Sequence, residues 1–135
     1  MKKNILIETS EKIAAVLAAI ASSQRIAILL AIGSGEACVC HLETALGWRQ
    51  AYISQHLMAL RKAGLLQGRR EGKYIYYRLT NPAFLCLLTS AADLNEIPSE
   101  IISEVTNRKN YPSCDCPQCA LPLIQLSSWQ SEIFE

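Results

Sequence analysis

A chain of 135 residues, half of them apolar and with a formal net charge of +1, holds one domain and little more. So short a chain buries a modest core, which leaves part of the apolar content for a dimer interface. The longest apolar run, residues 13–20, falls well short of the roughly 20 residues of a membrane span, and no small-residue cleavage site follows Met1-Lys2-Lys3. These features argue against a membrane or secreted protein and for a soluble cytoplasmic one with no membrane partner.

In chain order, residues 9–21 read as a first helix, with Thr9 or Ser10 as cap and Ile13, Val16, Leu17 and Ile20 at helical spacing. A second helix starts near Ser23, places Ile26, Leu29 and Leu30 on an apolar stripe, and stops at Gly33-Ser34-Gly35. A short third helix is expected from about Ala37 to Leu46, with Gly47 as its stop. The fourth, from Gln50 to Ala63, turns Ile53, Leu57 and Leu60 inward and ends at Gly64.

The period then changes from helical to alternating. Residues 65–70, a turn at Glu71-Gly72, and residues 73–79 read as a β-hairpin whose second strand is rich in aromatic and β-branched side chains. Tyr74, Tyr76 and Tyr77 are expected in the hairpin core. Asn81-Pro82 opens a further helix to about Leu94, and Ser99 caps a short one to about Val105. The organisation expected is a domain over residues 1–106 and a cysteine-containing tail over 107–135, where Pro112, Pro117 and Pro122 exclude an ordinary helix or strand.

Charge is unevenly placed. Arg49, Arg61, Lys62, Arg69, Arg70, Lys73 and Arg78 face one acid, Glu71, within residues 49–78, so this segment carries +6 and the remainder −5. A solvated face is the bland account; a polyanion-binding surface is the sharper one. Two helices separated by Gly47-Trp48-Arg49 and followed by a basic hairpin make a winged helix-turn-helix, a mainly α fold with a β-hairpin. Such a helix presents polar side chains to base edges in the major groove. Gln50, Tyr52, Ser54 and Gln55 lie on the outward face of the fourth helix, Arg49 and Arg61 near its ends, and Arg69, Arg70 and Lys73 at the hairpin tip. These nine residues are the candidate contacts to double-stranded DNA; His56 is read as scaffold.

The run Ile53-Ser54-Gln55-His56-Leu57, then Leu60-Arg61-Lys62-Ala63-Gly64-Leu65, then Arg69-Arg70-Glu71-Gly72-Lys73 and Tyr76-Tyr77-Arg78-Leu79 resembles the signature of the ArsR/SmtB family of bacterial repressors. The resemblance covers about residues 10–95. It implies a homodimer formed through the first and last helices of the fold, a palindromic operator, and release from DNA when an inducer binds.

The six cysteines fit that picture better than a disulfide framework, because the cytosol keeps thiols reduced. Cys38-Val39-Cys40 is similar to the cysteine-valine-cysteine motif of the family's arsenic, cadmium and lead sensors. In the arsenic repressors a third cysteine follows three residues on; here that position is Glu43. Cys114, Cys116 and Cys119 are the candidates to complete the site. Thiolates favour soft ions. Three suit arsenite or antimonite by resemblance; four suit cadmium, lead or zinc. With no histidine after His56, the family's nitrogen/oxygen metal site is disfavoured. If Cys38 and Cys40 both lie on a regular helix, they point about 200° apart and must distort it to share an ion. His41 is expected to be an exposed helix residue and Cys86 a buried small hydrophobe. Two other readings stand beside this one: a thiol-redox or persulfide-responsive repressor of the same fold, and a cysteine-rich metal buffer. No catalytic motif points to an enzyme.

Overall fold

The computed structural model of the chain describes residues 2–107. Its elements are α1 (Lys2–Ile20), α2 (Ser23–Ile32), β1 (Glu36–Cys38), α3 (Val39–Leu46), α4 (Gln50–Lys62), β2 (Leu66–Glu71), β3 (Tyr74–Leu79), α5 (Ala83–Leu94) and α6 (Ser99–Val105). The expected mainly helical winged architecture is present, with one enlargement. The hairpin β2–β3 is extended by β1 into a three-stranded antiparallel sheet in the order β1-β3-β2.

Local chemistry explains most boundaries. Ser22 caps α2, its side chain accepting from the Arg25 N–H. Gly47, in the left-handed region at φ 69°, ends α3 and turns the chain into α4. Asn81 Oδ1 accepts from the Ala83 N–H at 2.9 Å from two residues before the helix proper, and Pro82, expected as its first residue, is the N-cap. The hairpin loop is Gly72-Lys73, one residue later than expected. Gly72 takes φ 63° at the first central position, as a two-residue hairpin loop demands.

Three expectations are corrected. α1 begins at Lys2 rather than near Thr9: residues 2–8 contain no glycine or proline, and Ser10 Oγ bonds back to the Ile7 carbonyl from inside the helix instead of capping it. Ser99 is the first helical residue of α6, and Pro98 before it makes no side-chain cap. The third helix starts at Val39, because residues 36–38 pair with β3 as a strand.

The core gathers around α2. Ile28 and Leu29 of α2, Leu42 of α3 and Ile53, Leu57 and Leu60 of α4 are essentially inaccessible, with Leu65, Leu66, Leu79 and Leu88 closing the other sides. The alternation of α4 is the reason it stays fixed: its buried positions 53, 57 and 60 recur every three to four residues and leave the opposite face in solvent. α1 is the contrast. Only Ile20 of its expected stripe is buried; Ile13, Val16 and Leu17 are exposed, as are Ile5, Leu6 and Ile7. Cys86, expected inside, stands exposed on α5 because the buried positions of that helix are Leu88 and Ala92. Among the described residues no single helix is long and apolar enough to cross a membrane.

Because Leu29 has no exposed surface, Leu29→Ala should destabilise the fold by about 2–5 kcal/mol. Urea unfolding followed by circular dichroism reads this; a midpoint unchanged from the parent contradicts the assigned core.

Candidate nucleic-acid interface and thiol pair

α4 stands out from the body with a polar face. Arg49 sits at its N-cap, and Arg49, Gln50 and Gln55 are exposed, Tyr52 is 41% exposed and Ser54 half-buried. Tyr52 is held on both sides. Its ring meets Trp48 edge-on at 5.5 Å and His56 edge-on at 4.8 Å. Tyr52 and His56 are one helical turn apart on α4, and Trp48 reaches Tyr52 from the turn that precedes the helix. Trp48 also packs against the core, and His56 is half-buried with Nε2 enclosed. His56 therefore stiffens the helix face, consistent with a scaffold role.

The wing presents its cations unequally. Arg70 and Lys73 are exposed at the tip, Lys73 Nζ lying 5.5 Å from the centre of the Tyr74 ring. Arg61 is exposed at the last turn of α4 and reaches toward β2: a Cβ added at Gly68 would lie 3.6 Å from its Nη1.

Arg69 departs from the expected solvent-facing cation. Its Nη2 donates to Glu36 Oε1 at 2.9 Å and its Nε to Glu36 Oε2 at 3.3 Å, while Nη1 meets Glu71 Oε2 at 3.0 Å. Glu36 is only 2% exposed. Burial opposes the charge on Arg69, but the hydrogen bonds and attraction of Glu36, then Glu71, outweigh it and raise the guanidinium above its ordinary value. A raised folded-state value adds stability that is present throughout the ordinary pH range and is lost only in strong alkali, as pH rises through the folded-state value. Arg69 therefore stays charged throughout the working pH range. Glu36 escaped sequence reasoning because its partner is 33 residues away and the strand carrying it was read as a helix start.

The two helix cysteines come together without any unwinding. Cys38 ends β1 in extended backbone, φ −83° and ψ 165°, and acts as N-cap of α3, its Sγ accepting the His41 N–H at 3.2 Å. Cys40 lies in the first turn of α3. Their Cα atoms are 5.3 Å apart and their sulfurs are joined as a disulfide. The 200° divergence expected on a continuous helix does not arise, because only one of the two is helical. Cys38 is 1% exposed and Cys40 half-buried. His41, expected outside, is buried beside them at 1% exposure, turned inward with Leu42 at the start of α3. Glu43, at the position of the absent third thiol, is half-buried on the same helix. Among the described residues no group of three or more potential metal-binding side chains occurs. Once reduced, the two sulfurs make a converging soft donor pair that fits a thiophilic ion and leaves it short of ligands. Cys114, Cys116 and Cys119 lie outside the described residues.

Residues 22–67, which span the second helix through the start of the wing, match the model for "Bacterial regulatory protein, arsR family". The fold is similar to the transcriptional regulator HlyU from Vibrio vulnificus, with a TM-score of 0.62 and 33% identity, covering 67% of this chain and 98% of that one. The chain belongs to the ArsR/SmtB family of winged-helix transcriptional regulators. This ArsR/SmtB protein is also similar to the homodimeric winged helix-turn-helix DNA-binding domain Mb0332 from Mycobacterium bovis, at TM-score 0.56 and 34% identity, over 64% of this chain and 83% of that one. It is 47% identical over 62 residues to the arsenical resistance operon repressor of Escherichia coli, 45% of this chain and 53% of the other. The chain spans about half the length of the first curated relatives it matches. The family is one of regulators, not of enzymes.

Exposed cations at a wing tip suit the phosphates of a duplex, and Arg70 offers the direct test of such a contact. Arg70→Ala should weaken binding to all duplex sequences alike and reduce the log–log salt slope by about 1. Fluorescence anisotropy across a salt series tests this; an unchanged slope excludes a phosphate contact at Arg70.

Proposed function

We propose that this protein is a cytoplasmic, homodimeric transcriptional repressor that binds a palindromic operator and leaves it when arsenite or antimonite binds Cys38 and Cys40 together with thiols of the tail. The observation that carries the proposal is the meeting of the Cys38 and Cys40 sulfurs at the junction of β1 and α3. That junction lies directly before the turn that sets α4. A bridging ion there fixes the start of α3, and α3 with Gly47 aims the reading helix.

Several observations support the parts. Gln50, Tyr52, Ser54 and Gln55 are the base-reading candidates, while Arg49, Arg61, Arg70 and Lys73 take phosphates. Arg69 serves by holding the wing. The uncovered apolar face of α1, with Leu94 of α5 87% exposed, suits a second copy of the chain. Relatives named for arsenic resistance include the Escherichia coli repressor and the ArsR1 regulator of Pseudomonas putida, 53% identical over 51 residues. The tail supplies the third ligand within geometric reach. An added Cβ at Gly33, five residues before Cys38, would meet the Thr106 carbonyl oxygen at 3.2 Å, so α6 ends beside the approach to β1. Cys114 is eight residues beyond Thr106, a span of up to about 27 Å. This reading divides the chain into a domain over residues 1–106 and a ligand-supplying tail over 107–135. Four thiolates would shift the preference to cadmium, lead or zinc.

The disulfide between Cys38 and Cys40 favours a second reading, redox control of the same junction. There a peroxide takes two electrons from the two thiols, the disulfide forms, and the peroxide leaves as water. A metal buffer has no use for the polar face of α4 and its flanking cations.

Cys38→Ser and Cys40→Ser should each keep operator affinity yet lose release, which in the parent should be on the order of 5- to 150-fold. Anisotropy of labelled operator with and without arsenite, under reducing conditions, measures both. Variants released like the parent would sink the assignment; release of the parent by peroxide but not arsenite would establish the redox reading.

A further inference from the structure

A line of side chains crosses the sheet from the thiol pair to the outer strand of the wing, and its meaning rests on the effector reading above. Residues directly opposite one another in antiparallel strands share a face. Cys38 of β1 is opposite Tyr76 of β3, and Tyr76 is opposite Arg69 of β2, so the three form one row. Glu36, two residues before Cys38, lies on the same face.

The row is packed and charged. Tyr76 is fully buried and clusters with Cys38, with Cys40 and Tyr74 against them. The Arg69 guanidinium lies over the Tyr76 ring, 4.9 Å from its centre, and passes across β3 to reach both oxygens of Glu36. One side chain of the outermost strand is thereby tied to the strand that ends in the thiol, with the ring that touches the thiol lying beneath it.

Stability alone is a poor reason for such a pair. Two charges taken out of water lose hydration that their attraction only partly returns, and well-packed apolar replacements are often as stable. A forked, two-bond ion pair is instead selective for one placement of its partners, either made or broken.

We propose that the Glu36–Arg69 pair is the positioning element through which chemistry at Cys38 reaches the wing. With the thiols free of effector, the pair holds β2 where Arg70 and Lys73 meet DNA. An ion bridging Cys38 and Cys40 moves the Cys38 sulfur against Tyr76, shifts the ring beneath the Arg69 guanidinium, and withdraws the wing contacts. The thiols bind the effector; Glu36 and Arg69 carry its consequence.

The test uses the full chain and two variants. Glu36→Gln keeps shape and removes one charge; Arg69→Lys keeps charge and removes the fork. Arsenite binding to each is read by native mass spectrometry, and operator affinity with and without arsenite by anisotropy. Both variants should bind arsenite as the parent does. Their ratio of operator affinities should fall toward one, from a parental ratio on the order of 5- to 150-fold, whether through loss of affinity before arsenite or its retention after. If the parent is released and both variants are released to the same extent, this proposal fails alone. If the parent binds no arsenite or is not released by it, the effector reading fails and takes this proposal with it. Should Glu36→Gln not fold, Arg69→Lys decides the matter by the same ratio.

Discussion

Everything distinctive about this molecule depends on where one cysteine falls. Cys38 is at once the last residue of a strand and the cap of a helix, its sulfur taking the His41 N–H that α3 would otherwise leave unsatisfied. A strand-to-helix transition changes the direction in which successive side chains point, and that is why residues 38 and 40 can bring their sulfurs together. The cap and the proposed soft-ion ligand are one atom, carried by the residue that ends the strand, so altering that atom disturbs β1 and α3 together.

The surroundings make such a disturbance consequential. On one side α3 leads through Gly47 to α4, whose inner face is locked by Ile53, Leu57 and Leu60 and whose outer face carries the polar residues, with Trp48 in the preceding turn meeting Tyr52 and Tyr52 meeting His56. On the other side β1 joins β3, and Tyr76 stands between the thiol and the Arg69–Glu36 pair. A rigid core transmits small displacements because it is close-packed and has no slack to absorb them. The thiol pair is thus connected to both elements proposed to meet DNA, the helix by chain continuity and the wing by side chains.

Much of this was legible in the sequence, and what was not has physical causes. Helical spacing revealed α2 and α4, and aromatic and β-branched residues revealed the hairpin, because those patterns are local. The short strand β1 was hidden: three residues cannot display a period, and Glu36-Ala37-Cys38 is a strand only because β3 lies beside it. From that single omission came the misplaced start of α3, the expected divergence of the two thiols, the exposed placement of His41 and the unnoticed Glu36. Arg69 and Arg70 are adjacent and chemically identical, and only the fold separates the one held inside by Glu36 from the one left outside. The contact of Trp48 with Tyr52 is not legible from spacing, because Trp48 lies in the turn before α4 and only the fold brings the two rings together. The apolar stripe on α1 is legible from its spacing, and the fold leaves all of it but Ile20 uncovered within one chain.

The central claim is that Cys38 and Cys40 form the heart of an arsenite site, and stoichiometry tests it most directly. The reduced full chain, titrated anaerobically with arsenite and weighed by native mass spectrometry, should take up one arsenic per subunit with loss of the thiol protons. Removing Cys38 should abolish that uptake while a control change at Cys86 leaves it intact. Uptake that survives the loss of Cys38, or no uptake by the parent chain, would contradict the account.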